Sequence, residues 1–387
     1  MRRAVIVVLD SCGVGAAPDA ADYGDETADT LGHTAAAVGG LDLPNLRAAG
    51  LGNLHGDLQG MPPADHPTMA FGKLAEASAG RDSTTGHWEV AGIVTEQPFA
   101  TFPQGFPDDL IGAIEEETGH RFLGNYPASG TVIIEELGAE HLRTGHPILY
   151  TSADSVFQVA AHRQVLALDE LYGICRVARR HCDAYRVGRV IARPFEGETG
   201  AFRRTYERHD YSMPPHSPTV LDRAREVGLR VTGIGKIEDL FNGRGLTEAI
   251  HTEGDADGLD QTLGALEDTT PGILLTNLVD LDMLYGHRED PEGYARGLGV
   301  IDSYLPRLLE ALGDQDLLVL TADHGNDPTD GSTDHTREFA PLLVWARRAA
   351  GVDLGVGDQF CDVAATVAEG LGLPAPQRGA SFLGEVT

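Results

Sequence analysis

The sequence predicts an α/β protein, a mostly parallel sheet flanked by helices, and three observations carry that prediction. Apolar runs at Arg3–Leu9 (RAVIVVL), Gly272–Val279 (GILLTNLV) and Asp316–Thr321 (DLLVLT) have the near-continuous hydrophobicity of strands buried on both faces. Each run leads straight into acid-bearing sequence, which delivers Asp10, Asp282 and Asp323 to one edge of the sheet. Between the second and third runs lies an amphipathic helix, the connection that two parallel strands require.

Each element carries its own signals. The first run ends in Asp10 and then Ser11-Cys12-Gly13-Val14-Gly15, a glycine-rich turn. Asp290-Pro291 is a helix start, a side-chain acceptor followed by proline at the first helical position. Tyr294, Leu298, Ile301, Leu305, Leu308 and Leu312 then recur at alternating steps of four and three until Gly313 stops the run, a stripe that is core packing. A further strand-like run from Leu229 (LRVTGIGKI) ends at Lys236, where a compact ammonium would suit a phosphate.

Composition bounds the function. With 387 residues, 42% hydrophobic and 23% charged, the chain is expected to be soluble, globular and large enough for two domains. The cysteines at 12, 175, 182 and 361 form no CxxC pair and are expected to be reduced, in a cytoplasmic protein. The basic start followed by an apolar stretch is too short for a signal peptide and ends in Asp10, so a first strand is the better reading. No segment approaches the roughly 20 apolar residues of a membrane span. A formal net charge of −30 leaves no basic stripe for nucleic acid or an anionic membrane. It would also repel a phosphate substrate at long range, so a phosphate-handling site would need metals and arginines to make a local positive field. Of the 29 basic residues only Lys73 and Lys236 are lysines.

The chemistry concentrates at the strand ends. Asp-Leu-Asp-Met-Leu-Tyr-Gly-His at 280–287, Ala-Asp-His-Gly-Asn-Asp at 322–327 and Asp334-His335 outline a binuclear metal site. Carboxylates and imidazoles suit Mn²⁺, Zn²⁺, Fe or Mg²⁺, and the lack of nearby cysteine argues against a closed structural zinc site. A lone aspartate there would ordinarily be a helix cap or turn former. Joined by His287, His324 and His335, the metal reading prevails, and the expectation is an enzyme acting on phosphate. The segment Gly80-Arg81-Asp82-Ser83-Thr84-Thr85-Gly86-His87-Trp88-Glu89 sets hydroxyls before a helix start, ordinarily a capping arrangement. As a nucleophile, Thr85 would need a metal to lower its pKa and a helix N-terminus to add positive charge.

In combination, VLDSCGVG around Asp10, DSTTGHWE, YTSADSVFQ at 150–158, IARPF at 191–195, DLDMLYGHR at 280–288 and TADHGNDPT with TDHTRE at 321–338 resemble the phosphopentomutase family of the alkaline phosphatase superfamily, over almost the whole chain. The resemblance implies an alkaline-phosphatase-like core at 1–96 and 217–387, with a smaller α+β cap inserted at 97–216 between Pro98, Pro103, Pro107 and Pro214, Pro215, Pro218. It implies one metal on Asp282, His287 and His335 and another on Asp10, Asp323 and His324, most simply two Mn²⁺. Thr85, just before Gly-His-Trp-Glu, takes the nucleophile's role and rests as phosphothreonine, primed by a sugar 1,6- or 1,5-bisphosphate. The reaction implied is interconversion of ribose 1-phosphate and ribose 5-phosphate, and their 2-deoxy equivalents, through a bisphosphate intermediate. Ser152 and Asp154 would meet sugar hydroxyls, and Arg189, Arg193, Arg204, Arg208 and Lys236 phosphate. The family pattern has Lys and Thr-Met where this chain has Arg81 and Ser83-Thr84. Partners are small sugar phosphates, and the sequence sets no oligomeric state. A phosphatase of the same superfamily, a cofactor-independent phosphoglycerate mutase and a non-catalytic metal-binding protein are the rival readings.

Overall fold

The computed structural model describes residues 1–152 and 155–387. The chain divides into two compact bodies, Met1–Gln97 with Pro215–Thr387, and Pro98–Pro214. The strands in chain order are β1 (Arg3–Leu9), β2 (Ala70–Leu74), β3 (Leu123–Pro127), β4 (Ile148–Thr151), β5 (Val156–His162), β6 (Arg189–Glu196), β7 (Arg203–Arg204), β8 (His209–Ser212), β9 (Arg230–Ile234), β10 (Glu248–Ile250), β11 (Gly272–Leu278), β12 (Asp316–Thr321), β13 (Ala340–Trp345) and β14 (Asp353–Gly357).

The larger body is built on one eight-stranded sheet in the order β10-β9-β11-β1-β12-β13-β2-β14. All neighbours pair in parallel except on the two sides of β13, which alone runs against the rest. The mostly parallel sheet expected from the apolar runs is therefore what forms. Every position of β1, β11 and β12 is buried, as helices on both faces demand. The three run in matched register, Arg3 lying beside both Gly272 and Asp316, so their carboxyl ends finish side by side.

The crossover helix between β11 and β12 spans Pro291–Ala311. Asp290 caps it by accepting from the Gly293 N–H, Pro291 occupies the first turn, and Tyr294, Leu298, Ile301, Leu305 and Leu308 are its buried stripe. Among the described residues no helix is long and apolar enough to cross a membrane.

The smaller body holds a sheet in the order β3-β4-β5-β6-β7, with β8 on β6, mixing parallel and antiparallel pairs. One sheet face buries Leu149, Phe157, Val159 and Val190 against helices Asp108–Thr118 and Leu168–Cys182. The other packs Ile148, Tyr150, Ala160 and Phe195 on helix Gly130–Thr144 through Ile133 and Ile134. Alternation along β4 and β5 thus feeds two cores from one sheet.

Candidate metal centre and its hydroxyl

The matched carboxyl ends of β11, β1 and β12 bring the ligands together. Asp10 directly follows β1, its N–H donating to the Leu278 carbonyl at 3.0 Å. Asp282 sits in the wide helical turn Leu281–Tyr285 after β11, and His287 in the tight turn Gly286–Arg288 that follows. Asp323 and His324 follow β12. His335 returns on a segment held by the bridge between Gly325 and Thr336.

All six expected side chains converge. His335 Nε2 lies 3.2 Å from Asp282 Oδ1 and 3.3 Å from His287 Nε2, which is itself 3.4 Å from Asp282 Oδ2. On the other side, His324 Nε2 is 3.3 Å from both Asp10 Oδ1 and Asp323 Oδ2. The His324 and His335 rings stack with centroids 3.9 Å apart, joining the two halves. Ligand atoms of Asp282, His324 and His335, and of Asp10, Asp323 and His324, each fall within 4.8 Å of one another.

The donors fit divalent cations on their hydrogen bonding alone. His287 Nδ1 meets the Thr333 carbonyl at 2.6 Å, His335 Nδ1 that of Arg81 at 2.9 Å and His324 Nδ1 that of Gly325 at 3.0 Å. A carbonyl only accepts, so each ring carries a hydrogen on Nδ1 and turns Nε2 into the cluster as the atom that would meet a cation, the outer-shell device of metal-ligating histidines. Asp323 Oδ2 is fully buried and has only the His87 and His324 rings beside it, at 2.9 and 3.3 Å, so a bound cation would offset its charge. Electrostatics agree. Burial pushes Asp282 up, but His335 and His287 outweigh it and hold the carboxyl well below its usual range. Burial pushes His324 down, and the Asp323, Asp10 and Asp282 carboxylates raise it well above the ordinary imidazole value.

The hydroxyl segment departs from expectation. Helix Ser83–Val90 starts with Asp82 as its cap, Asp82 Oδ1 accepting from the Thr85 N–H at 3.1 Å. The Thr85 hydroxyl donates to the other oxygen of the same cap at 2.6 Å and is fully buried. Ser83 Oγ is instead the hydroxyl in the cluster, 3.1 Å from His324 Nε2 and 3.4 Å from Asp10 Oδ1, at the open first position of the helix. The structure thus turns Ser83, rather than the expected Thr85, toward His324 and Asp10, because the cap claims Thr85's side chain. Ser83 stands where the family pattern has Thr, so the hydroxyl survives the difference. Gly86 lets this helix come close: a Cβ there would run into the Asp323 carbonyl.

Of the expected substrate groups, Lys236 stands in the larger body at the head of helix Ile237–Phe241, and its charge helps to lower Asp10. Ser152 follows β4, while Asp154 lies outside the described residues. In the smaller body Arg193 donates from Nε to Gln158 Oε1 at 3.1 Å. Burial, then the neighbouring Arg208 and Arg204 guanidiniums, lower its pKa to about 10. Arg204 pairs beside Phe195 on β7. Arg208 grips Asp210 with two hydrogen bonds of 2.6 and 2.5 Å, and Arg189 is 4.0 Å from the same carboxylate. Arg193, Arg204 and Arg208 thus form a positive cluster, with Arg208 and Arg189 already shared with Asp210.

Sequence reasoning passed over three buried polar groups around the ligands. Asn326 Nδ2 donates to Asp282 Oδ1 at 3.1 Å, Asn277 Nδ2 to Asp10 Oδ2 at 2.8 Å, and His87 lies between Asn277 and Ser83. The signal was available for Asn277, an amide interrupting the apolar run GILLTNLV.

The chain matches the family described as Metalloenzyme superfamily over residues 2–375. A protein of Anaeromyxobacter dehalogenans named phosphopentomutase is 57% identical over 387 residues, covering 100% of this chain and 98% of that protein. One of the same name from Alkaliphilus oremlandii is 51% identical over 384 residues, covering 99% of this chain and 98% of that protein. Among solved structures, Leishmania mexicana phosphoglycerate mutase at low cobalt concentration gives a TM-score of 0.50 at 13% identity, covering 98% of this chain and 97% of that chain, a likeness of fold alone.

Proposed function

Since this chain belongs to the phosphopentomutase family, within the Metalloenzyme superfamily, we propose that it moves a phosphoryl group between the 1- and 5-oxygens of ribose or 2-deoxyribose by way of Ser83. The single observation behind this residue is its hydroxyl 3.1 Å from His324 Nε2, at a helix N-terminus, beside the convergent carboxylates and imidazoles of Asp10, Asp282, Asp323, His324 and His335, with His287 against Asp282. Two divalent cations, Mn²⁺ by the match to oxygen and imidazole donors, would carry charge on the attacking and leaving oxygens and lower the hydroxyl's pKa.

The resting enzyme is a phosphoserine, primed by a sugar 1,6- or 1,5-bisphosphate. It gives its phosphoryl group to the free oxygen of the sugar monophosphate, and the resulting bisphosphate returns the other group to Ser83. The free N–H groups at the helix start favour the phosphate there. Arg193 and Arg204 in the smaller body, and Lys236 in the larger, are the candidate phosphate-binding groups, and Ser152 and Asp154 those for sugar hydroxyls. Arg189 and Arg208 support that set through Asp210.

The test is incubation with ribose 1-phosphate, Mn²⁺ and a catalytic amount of glucose 1,6-bisphosphate. Ribose 5-phosphate without free phosphate is the expected result. Stoichiometric release of phosphate would make the chain a phosphatase instead.

A further inference from the structure

Asn277 and His87 are buried, at 1% and 0% exposure, and neither is a ligand in the cluster. One atom of Asn277 serves two neighbours: Nδ2 is 2.8 Å from Asp10 Oδ2 and 3.1 Å from His87 Nε2. Against a carboxylate that atom must be the nitrogen, since an oxygen would leave two acceptors facing each other. Its second hydrogen then needs an acceptor, which makes His87 Nε2 the bare nitrogen and puts the ring hydrogen on Nδ1. His87 Nδ1 in turn meets the carbonyl of Ser83 at 2.8 Å, one helical turn back, and lies 2.9 Å from Asp323 Oδ2.

The chain of contacts runs Asp10, Asn277, His87, Ser83. It leaves Asp10 Oδ2 occupied and Oδ1 turned to Ser83 and His324. It also holds the Ser83 backbone by its carbonyl, at the end of the helix where no preceding turn would hold it.

We propose that Asn277 and His87 are positioning residues that jointly orient the Asp10 carboxylate and the Ser83 hydroxyl, so that ligand and phosphoryl acceptor are aligned by a single buried relay. The proposal rests on Ser83 as the acceptor.

Three variants decide it. His87→Asn keeps an N–H near the place of Nδ1 and gives up the far nitrogen, whereas His87→Gln does the reverse. We expect His87→Gln to lower kcat about 10–100-fold, the range for losing an outer-shell partner, with KM for ribose 5-phosphate unchanged, and His87→Asn to recover much of the loss. Asn277→Ala removes both amide hydrogens. Calorimetric titration of metal-free Asn277→Ala with Mn²⁺ should show one cation bound about 10–100-fold more weakly and the other as in wild type. Equal kcat in the two His87 variants, or wild-type kcat in His87→Gln, overturns the proposal, as does an unchanged Mn²⁺ titration of Asn277→Ala. Phosphopeptide mapping of the wild-type chain keeps the premise separate. Phosphate on a residue other than Ser83 removes premise and proposal together, whereas phosphate on Ser83 with either variant result above removes the positioning role alone.

Discussion

Ser83 Oγ lies 3.1 Å from His324 Nε2, while Thr85 Oγ1, two residues along the same helix, is tied to its own cap at 2.6 Å. Successive hydroxyls on a helix point about 100° apart, so one alone can be in line with a transferred group.

Ser83→Ala is therefore expected to fold, bind Mn²⁺ and fail to isomerise, and Ser83→Thr to keep activity because the hydroxyl is retained. Thr85→Ala should lose one hydrogen bond to the Asp82 cap, about 0.5–1.5 kcal/mol, and remain phosphorylatable. Mass spectrometry after treatment with glucose 1,6-bisphosphate checks the assignment, and phosphate found on Thr85 would refute it.

His287→Ala and Asp323→Ala should each lower bound metal and reduce activity by more than the roughly 10–100-fold typical of an outer-shell loss. Both lie on turns beyond the strand ends, so melting should shift little in the metal-free protein. Elemental analysis is the check. A variant with wild-type activity and undiminished metal would remove its residue from the ligand set.

Arg193→Ala should raise KM for the sugar phosphate about 10- to 150-fold, the equivalent of about 1.5–3 kcal/mol for a charge-assisted hydrogen bond. Arg208→Ala should cost less, because Asp210 already holds that guanidinium in two hydrogen bonds. Steady-state kinetics of the two variants settle the order, and a larger effect at Arg208 would reverse the assignment.

Acid should weaken the smaller body through His141. Burial lowers its pKa, and both ring nitrogens are committed as a neutral imidazole requires, Nδ1 to the His146 carbonyl and Nε2 accepting from the His162 N–H. A histidine depressed in the folded state stays neutral while the unfolded chain takes a proton, so stability is lost as pH falls through the unfolded value of 6.5. Melting followed from pH 8 to 5 should show that decline, and His141→Gln, which accepts without a proton, should flatten it. An identical slope in the variant would rule His141 out.

Much of this was legible because strands, caps and ligands write themselves locally. RAVIVVL and DLLVLT read as buried strands, Asp290-Pro291 as a helix start, and carboxylates and imidazoles gathered after strand ends suit a metal site. The word Thr-Gly-His-Trp-Glu says which residues are present, not which way the first helical turn faces, so the sequence could not show that Ser83 rather than Thr85 points at His324. That turn's phase depends on Asp82 taking the cap, a contact that claims Thr85 and turns Ser83 inward. Asn277 and His87 escaped for a related reason: their partners, Asp10 and Ser83, lie far away in sequence or one turn back on the chain. The reversal of β13 between β12 and β2 likewise depends on pairings that periodicity does not encode.

The position of β1 between β11 and β12 also governs how the chain can be made. A ribosome adding about 5–20 residues per second finishes β1 at the outset and needs roughly 13–50 s more before Gly272, the start of its first partner, emerges. Meanwhile Pro98–Pro214, contiguous and with cores of its own, is complete before either neighbour of β1 exists. Through that interval a strand that is apolar from Ala4 to Leu9 stands with both edges bare, a hazard for aggregation, and Asp10 next to it is synthesised long before Asp323 and His324, the groups it meets.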